Sequence, residues 1–507
     1  MAITVRSGAP SVARPDPAPR HRRPAPDLLM LAAITVLAVV LRFATITHQS
    51  YWVDEATTVH EVGLSFGAML HAVHAGESTP PLYFVLAWVW ATAFGTGELA
   101  LRSLSALLGI GLVPIAYACG RELVSRWTGV VAAALTAVSP FLIWYSQEAR
   151  AYMLLGALCG LSFLGFARMR RGPDRRALVL WGVSSALAVL THYFAGFLVA
   201  PEAAVLLWWR RDRPTVLAVG AVAAVQAAMV PLIVGAAGRS LIEWISAFSL
   251  STRINQVAVE LSLSTLYRNP LVSHGLLGAG VLALVLALLL AFGGGRARLA
   301  AVAPAAAVAA FVLVVPVLLA LAGHDYVVPR NFIGAWVPLA VVFAAAVTAP
   351  RTLPAGAALA ALVLVAFLYA GALIDSRTQY QRPDWRGVAG ALGAASGQRA
   401  IVAYAGGTNA SPLSLYLPGV PWHTPPGPLT VSEVDVVGDA YQQAPARLPA
   451  GVRLISTSSV ADFTVARYAV PRWRLTPAAI GARAATALLV PGPAAPAVLV
   501  QRAPTHR

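Results

Sequence analysis

Runs of about twenty apolar residues recur along most of this chain. Each is long enough, as a helix rising 1.5 Å per residue, to cross a hydrocarbon core ~30 Å thick. The candidate spans fall at 28–47, 99–119, 127–144, 151–167, 177–193, 195–209, 215–235, 275–292, 299–322, 333–348 and 355–373. A lipid-crossing backbone must satisfy its own hydrogen bonds, so such runs predict helices. The expected class is a polytopic α-helical membrane protein of about eleven spans. Of the 507 residues, 58% are hydrophobic and 11% charged, which no ordinary soluble domain shows.

A net charge of +16 invites a nucleic-acid reading. The basic residues, however, sit mainly in short loops between apolar runs, as membrane topology requires. With a cytoplasmic N-terminus, Arg121 and Arg126, the cluster at 168–176, the cluster at 210–213, Arg296 with Arg298, and Arg351 all fall inside. The segments 50–84, 146–150, 236–274 and 324–330, together with His192 and everything after 373, then lie outside. This parity holds only if 81–94 is a short or re-entrant helix of the first outer loop, 48–98. The organisation expected is a disordered Arg/Pro-rich cytoplasmic tail at 1–27, a membrane module at 28–374 and a small extracytoplasmic α/β domain at 375–507. In that domain 399–404, 462–469 and 497–501 read as strands, and 384–395 as a helix with an acidic start. All 37 basic residues are arginine, so lysine Schiff-base chemistry and a P-loop lysine are excluded. Cys119 and Cys159 fall inside apolar runs and read as small core residues.

Charged residues kept at the rim of a membrane bundle point to function. Asp54 and Glu55 follow the first span directly, and neighbours on a helix or strand point different ways, so the two are expected to divide their roles. One carboxylate would take a proton from an acceptor hydroxyl while the other holds a neighbour or a cation. The alternative is that both cap a short interfacial helix. Glu148 and Arg150 lie beside Trp144, Tyr145 and Tyr152, a setting that suits a phosphate headgroup with an apolar tail, or an interfacial aromatic belt. Arg330 follows a span-breaking proline and enters the next helix at its positive end, where it would complete an anion site or anchor the interface. Arg102 and His192 fall at the same depth, and Arg42 either snorkels outward or faces a bound anion. His71, His74 and Glu77 could share a helical face, but a third ligand at strict spacing is missing, so zinc is the poorer reading. No cofactor is assigned; a divalent cation held by Asp54 or Glu55 to offset donor phosphate charge is the alternative kept.

These motifs resemble one family. YWVDEA at 51–56, PPLYF at 80–84, LRSLSALLG at 101–109, GREL at 120–123, SPFLIWYSQEARAY at 139–152, VPRNF at 328–332 and RPDWRGVA at 382–389 are similar, in order and spacing, to the GT-C superfamily of membrane glycosyltransferases. Within it the chain resembles glycosyltransferase family 39 and its relatives: protein O-mannosyltransferases, aminoarabinose transferases of lipid A and Rgt-type galacturonosyltransferases. The resemblance implies a polyprenyl-phosphate sugar donor and a hydroxyl acceptor (glycan, lipid or protein) on the extracytoplasmic face of the plasma membrane. It places the catalytic acid of the first outer loop on Asp54, with Glu55 beside it. It also implies that donor phosphate meets Arg150 and Arg330; from their shared depth at the rim Arg102 is added to the phosphate contacts, and Glu148, His192, Tyr145 and His74 are expected near the substrate. Members often carry His-Pro-Pro where this chain has Thr79-Pro80-Pro81; His74 is the candidate substitute.

Two other classes compete. A transporter or flippase for an isoprenoid-linked lipid would need polar groups in broken helices at mid-membrane depth and internal symmetry. A non-catalytic envelope-assembly subunit would use the C-terminal domain to bind partners. Charges at the rim favour the transferase.

Overall fold

The computed structural model of the chain describes residues 26–237, 245, 247–269, 274–395, 397–404, 410–439, 447–487 and 496–502. The expected tail lies outside these except for its last two residues. Helix α1 (Pro26–Phe43) begins there, with proline at its first position, where the missing N–H costs nothing. Three short helices follow, α2 (Val53–Val62), α3 (Phe66–Gly76) and α4 (Leu82–Phe94). At 13 residues α4 is about 20 Å long, shorter than a hydrocarbon core ~30 Å thick.

The bundle continues with α5 (Glu98–Leu123), then α6 (Arg126–Val138) and α7 (Pro140–Ser146), which meet at 56°. Next come α8 (Tyr152–Met169), α9 (Arg175–Thr191), α10 (Ala195–Trp209) and α11 (Arg213–Ala237). Helix α12 (Leu250–Leu263) lies in the expected 236–274 loop, followed by α13 (Gly275–Gly293) and α14 (Gly295–Leu321). A 3₁₀ turn, Pro329–Ala335, leads into α15 (Trp336–Val347), and α16 (Leu353–Ser376) closes the bundle. Among the described residues eight helices are long and apolar enough to cross a membrane, nine if the bent pair counts as one. Helices α9 and α10, of 17 and 15 residues, occupy the two other positions read as spans. The chain is a multi-pass membrane protein.

The bend between α6 and α7 has a local cause. Pro140 has no N–H to offer the carbonyl of Thr136, so the helix must break there. Arg42 satisfies the exposed carbonyls: its guanidinium donates to Thr136 O at 3.0 Å, Ala137 O at 2.9 Å and Ser146 Oγ at 3.1 Å. It neither snorkels nor faces an anion; it is fully buried and staples α1 to the break. Gly109 makes room for this. A Cβ there would come within 2.2 Å of Ser146 Oγ and 2.9 Å of Arg42 Nε.

Beyond α16 the described residues build a five-stranded sheet whose strands, counted along the chain, lie in the order third, fourth, second, first, fifth. The elements are α17 (Trp385–Leu392), β1 (Arg399–Ala403), α18 (Leu413–Tyr416), β2 (Leu429–Asp439), β3 (Arg453–Val460), β4 (Phe463–Leu475), α19 (Pro477–Ala487) and β5 (Ala497–Gln501). Strand β1 pairs parallel with β2 and antiparallel with β5. It is buried throughout because both faces are covered: Ile401 and Ala403 pack with Trp385 and Leu413, while Ala400 and Val402 pack with Ile480 and Ala484. The expected strands and the 384–395 helix are present, and Asp384 caps α17 by accepting from Gly387 N at 2.9 Å. Strands β2 and β3 and helix α12 are additions to the sequence reading.

The RPDWRGVA stretch seats this domain on the bundle end that carries α2. Ser50 Oγ donates to Pro383 O and accepts from Trp385 N, both at 3.0 Å. Arg382 N donates to Gln49 Oε1 at 2.8 Å, and Arg386 donates to the carbonyls of Thr47 and His48 and pairs with Glu98 at 3.0 Å.

Candidate active site

Asp54 and Glu55 occupy the first turn of α2, where free backbone N–H groups favour carboxylates. Their side chains diverge by about 100° around the helix, and their surroundings diverge with them. Glu55 points inward and is fully buried. The Arg102 guanidinium grips it from Nε to Oε1 and from Nη2 to Oε2, both at 2.7 Å, and Ala149 N donates to Oε1 at 3.0 Å. The remaining Arg102 donors go to the carbonyls of Ile46, Gln49 and Ser50. Burial works to raise the Glu55 carboxyl, but the Arg102 charge and hydrogen bonds win and hold it below the usual carboxylate range. Arg102 is thus a scaffold residue behind the site, not a phosphate contact on its surface.

Asp54 faces the other way, into a cavity of about 890 Å³. Arg330 Nη1 donates to its Oδ2 at 3.1 Å, with both side chains about a quarter exposed. Arg150 lines the same cavity. Its guanidinium forks onto Glu77 at 2.8 and 2.9 Å, and its Nη1 lies 3.5 Å from the Asp54 backbone carbonyl. Tyr152 packs under Arg330, with the guanidinium 5.6 Å from the ring centre, and His192 completes this polar end. The opposite wall is apolar, formed by Phe197 and Ala203 of α10, Val219 and Val222 of α11, and Phe311 and Val315 of α14. The cavity is therefore amphipathic, with two guanidinium groups and the carboxylates of Asp54 and Glu77 among the polar residues on its lining and a slot between helices beside them.

The structure brings Asp54, Arg150, Arg330 and His192 together on this cavity. It does not place Glu55, Arg102, Glu148, Tyr145 or His74 on its lining. Glu148 is buried against Arg382, Oε2 to Nη2 at 2.9 Å, and Arg382 stacks 4.0 Å from the Trp144 ring centre. Burial pushes the Glu148 carboxyl up to about 7, with Arg382 opposing. Tyr145 packs edge-on against Tyr152, and His74 lies on the exposed side of α3. His71 is likewise exposed, while Glu77 is turned inward onto Arg150, so the three form no shared face toward zinc. Among the described residues no three His, Cys, Asp or Glu side chains gather as a metal site. Sequence reading missed the roles of Glu77 and Arg382, whose guanidinium or carboxylate partners lie far along the chain. It also missed Glu61, one turn beyond Thr57 on α2, whose buried Oε2 has no hydrogen-bond partner among the described residues. Burial, then the neighbouring Glu77, push the Glu61 carboxyl up to about 8, with Arg150 opposing.

Residues 78–235 match the family model described as dolichyl-phosphate-mannose-protein mannosyltransferase. No curated protein matches the sequence. Among solved structures, ArnT from Cupriavidus metallidurans bound to undecaprenyl phosphate is 14% identical, covers 86% of this chain and 97% of its own, and gives a TM-score of 0.49. The Archaeoglobus fulgidus oligosaccharyltransferase in complex with Zn and sulfate is 17% identical over 71% of this chain and 54% of its own, at 0.41. The arabinofuranosyltransferase AftD from Mycobacteria is 16% identical over 88% and 40%, at 0.42. Likenesses at these scores assign no substrate and no residue role to this chain. The stretch matched by the family model takes in Arg150, Tyr152, His192 and the cavity-lining residues of α10 and α11.

Proposed function

We propose that the chain transfers a sugar from a polyprenyl-phosphate donor to a hydroxyl acceptor, with inversion, and that Asp54 is the base. The observation that carries this is the amphipathic cavity: guanidinium groups and the Asp54 carboxylate on its lining, a hydrocarbon-lined slot beside them. A prenyl chain gains about 0.8 kcal/mol per buried CH₂ in such a slot. The donor phosphate then meets Arg330 and Arg150, which offset the negative charge it gains on leaving.

In the reaction the acceptor oxygen attacks the anomeric carbon as Asp54 takes its proton. The bond from that carbon to the phosphate oxygen breaks, and its electron pair leaves with the phosphate. The products are the inverted glycoside and polyprenyl phosphate; the proton rests on Asp54 until water removes it. Glu55, sealed against Arg102, holds α2 at the angle that points Asp54 into the cavity. His192 and Tyr152 shape the polar end. Any divalent cation would have to draw Asp54 or Glu77 away from its arginine.

Arginine placement argues that this end of the bundle faces the extracytoplasmic side of the plasma membrane, with the N-terminus in the cytoplasm and the sheet domain outside. The acceptor, a glycan, lipid or protein, would approach between the first loop and that domain. The test is transfer of radiolabel from polyprenyl-phosphate sugars in membranes containing the chain. Label should move to an acceptor from the lipid-linked sugar and not from the corresponding nucleotide sugar; transfer from the nucleotide sugar alone would overturn the reading.

A further inference from the structure

The two guanidinium groups on the cavity are held differently. Arg150 is locked: its fork meets both Glu77 oxygens, their side chains are 9% and 8% exposed, and Thr58 Oγ1 sits 3.4 Å from Nη1. Arg330 is more open, and it pairs with Asp54 itself, the two side chains 23% and 26% exposed on the cavity wall. The carboxylate that should accept the acceptor's proton is therefore bound by a cation that should hold the donor phosphate. A carboxylate occupied by a guanidinium offers fewer lone pairs to an incoming hydroxyl.

We propose that donor phosphate and Asp54 compete for Arg330, so that seating the donor releases Asp54 to act as base. This rests on the donor reading and adds an order of events to it. The donor's phosphodiester presents two unesterified oxygens, enough for a guanidinium to fork onto it and give up a partly exposed carboxylate. Neither element needs to move. Asp54 stands on the rigid first turn of α2 and Arg330 on the 3₁₀ turn before α15, so rotation of two side chains is enough. Arg150 keeps Glu77 throughout. Until the donor enters, Asp54 Oδ2 stays on Arg330 and the carboxylate offers an acceptor or water hydroxyl fewer lone pairs. The acceptor is thus activated more fully after the lipid-linked sugar has entered.

The experiment measures binding of farnesyl phosphate, with farnesol as the phosphate-free control, to the detergent-purified full chain. Wild type, Asp54→Asn, Arg330→Ala and the double variant are compared, and each is checked for an unchanged melting temperature. Freed from its carboxylate, Arg330 in Asp54→Asn should bind farnesyl phosphate about two- to five-fold more tightly than wild type, the range expected for a partly exposed pair. Arg330→Ala should weaken binding, and adding Asp54→Asn to it should then change nothing. Asp54→Ala provides a second variant and should match Asp54→Asn. If Asp54→Asn tightens binding equally with and without Arg330, or not at all, the competition is wrong while the donor site stands. If farnesyl phosphate binds wild type no better than farnesol, the donor reading fails and the competition with it.

Discussion

Two neighbouring carboxylates, Asp54 and Glu55, each meet an arginine and serve opposite purposes. Glu55–Arg102 is sealed, forked and surrounded by further hydrogen bonds. Asp54–Arg330 opens on a cavity and stays about a quarter exposed. Glu148–Arg382, buried at the seam with the sheet domain, and Arg150–Glu77, locked beside the cavity, fall on the sealed side of the same division. An arginine–carboxylate pair at a membrane rim is thus not informative by itself. What separates scaffold from chemistry is how many of the donors are already spent inside the protein.

The largest expected effect tests the sealed side. Glu55→Gln leaves Arg102 charged and buried without its anion, and should cost about 3–5 kcal/mol, read as a lower melting temperature and poor membrane yield. Replacing Arg102 as well, by Met, should fail to rescue it, because the carbonyls of Ile46, Gln49 and Ser50 would lose their donor. Recovery of wild-type stability by the double variant would erase the difference between the two pairs. Next, Arg382→Ala should cost about 2–3 kcal/mol and speed proteolysis at the junction before α17, since Glu148 loses its partner and Trp144 its stacked cation. Arg330→Lys keeps the charge but not the planar fork; it should raise the donor KM roughly ten-fold, about 1.4 kcal/mol, with melting unchanged.

The smallest effect concerns Glu61. Its carboxyl is raised to about 8 in the folded chain, so the folded state holds its proton more tightly than the unfolded state does. Stability from this group is complete below the ordinary glutamate range and falls as pH rises through about 8. Melting temperature should therefore drop between about pH 5 and 9 in wild type, and Glu61→Gln should flatten part of that slope. An unchanged slope would mean that Glu61 ionises freely.

Much of this was legible in the sequence. Span lengths and arginine parity placed Asp54, Arg150, His192 and Arg330 at one end of the bundle, because both signals follow from the cost of burying charge and backbone in lipid. Arg102 looked no different from Arg330, since an arginine opening a span reads alike whether it faces a cavity or a neighbouring helix. Its true partner set, 46–55, became visible only when the chain folded back. Glu77 and Arg382 pair with residues 73 and 234 positions away, separations that no local pattern encodes. Helix α12 was hidden in a segment read as loop, although Ser249 caps it by accepting from Thr252 N at 3.2 Å. Strand β2 alternates buried valines with Glu433 and Asp435, and those two acids disguise it; inside, they are matched by Arg399 and Arg467.

On the proposed mechanism Asp54 is the base, and the fold stands without it. The direct measurement is the initial rate of sugar transfer per folded molecule for Asp54→Asn against wild type, in membranes of equal protein content. The rate should fall about 10²–10⁴-fold with the melting temperature within a degree or two. A variant that retains wild-type turnover would contradict that role for Asp54.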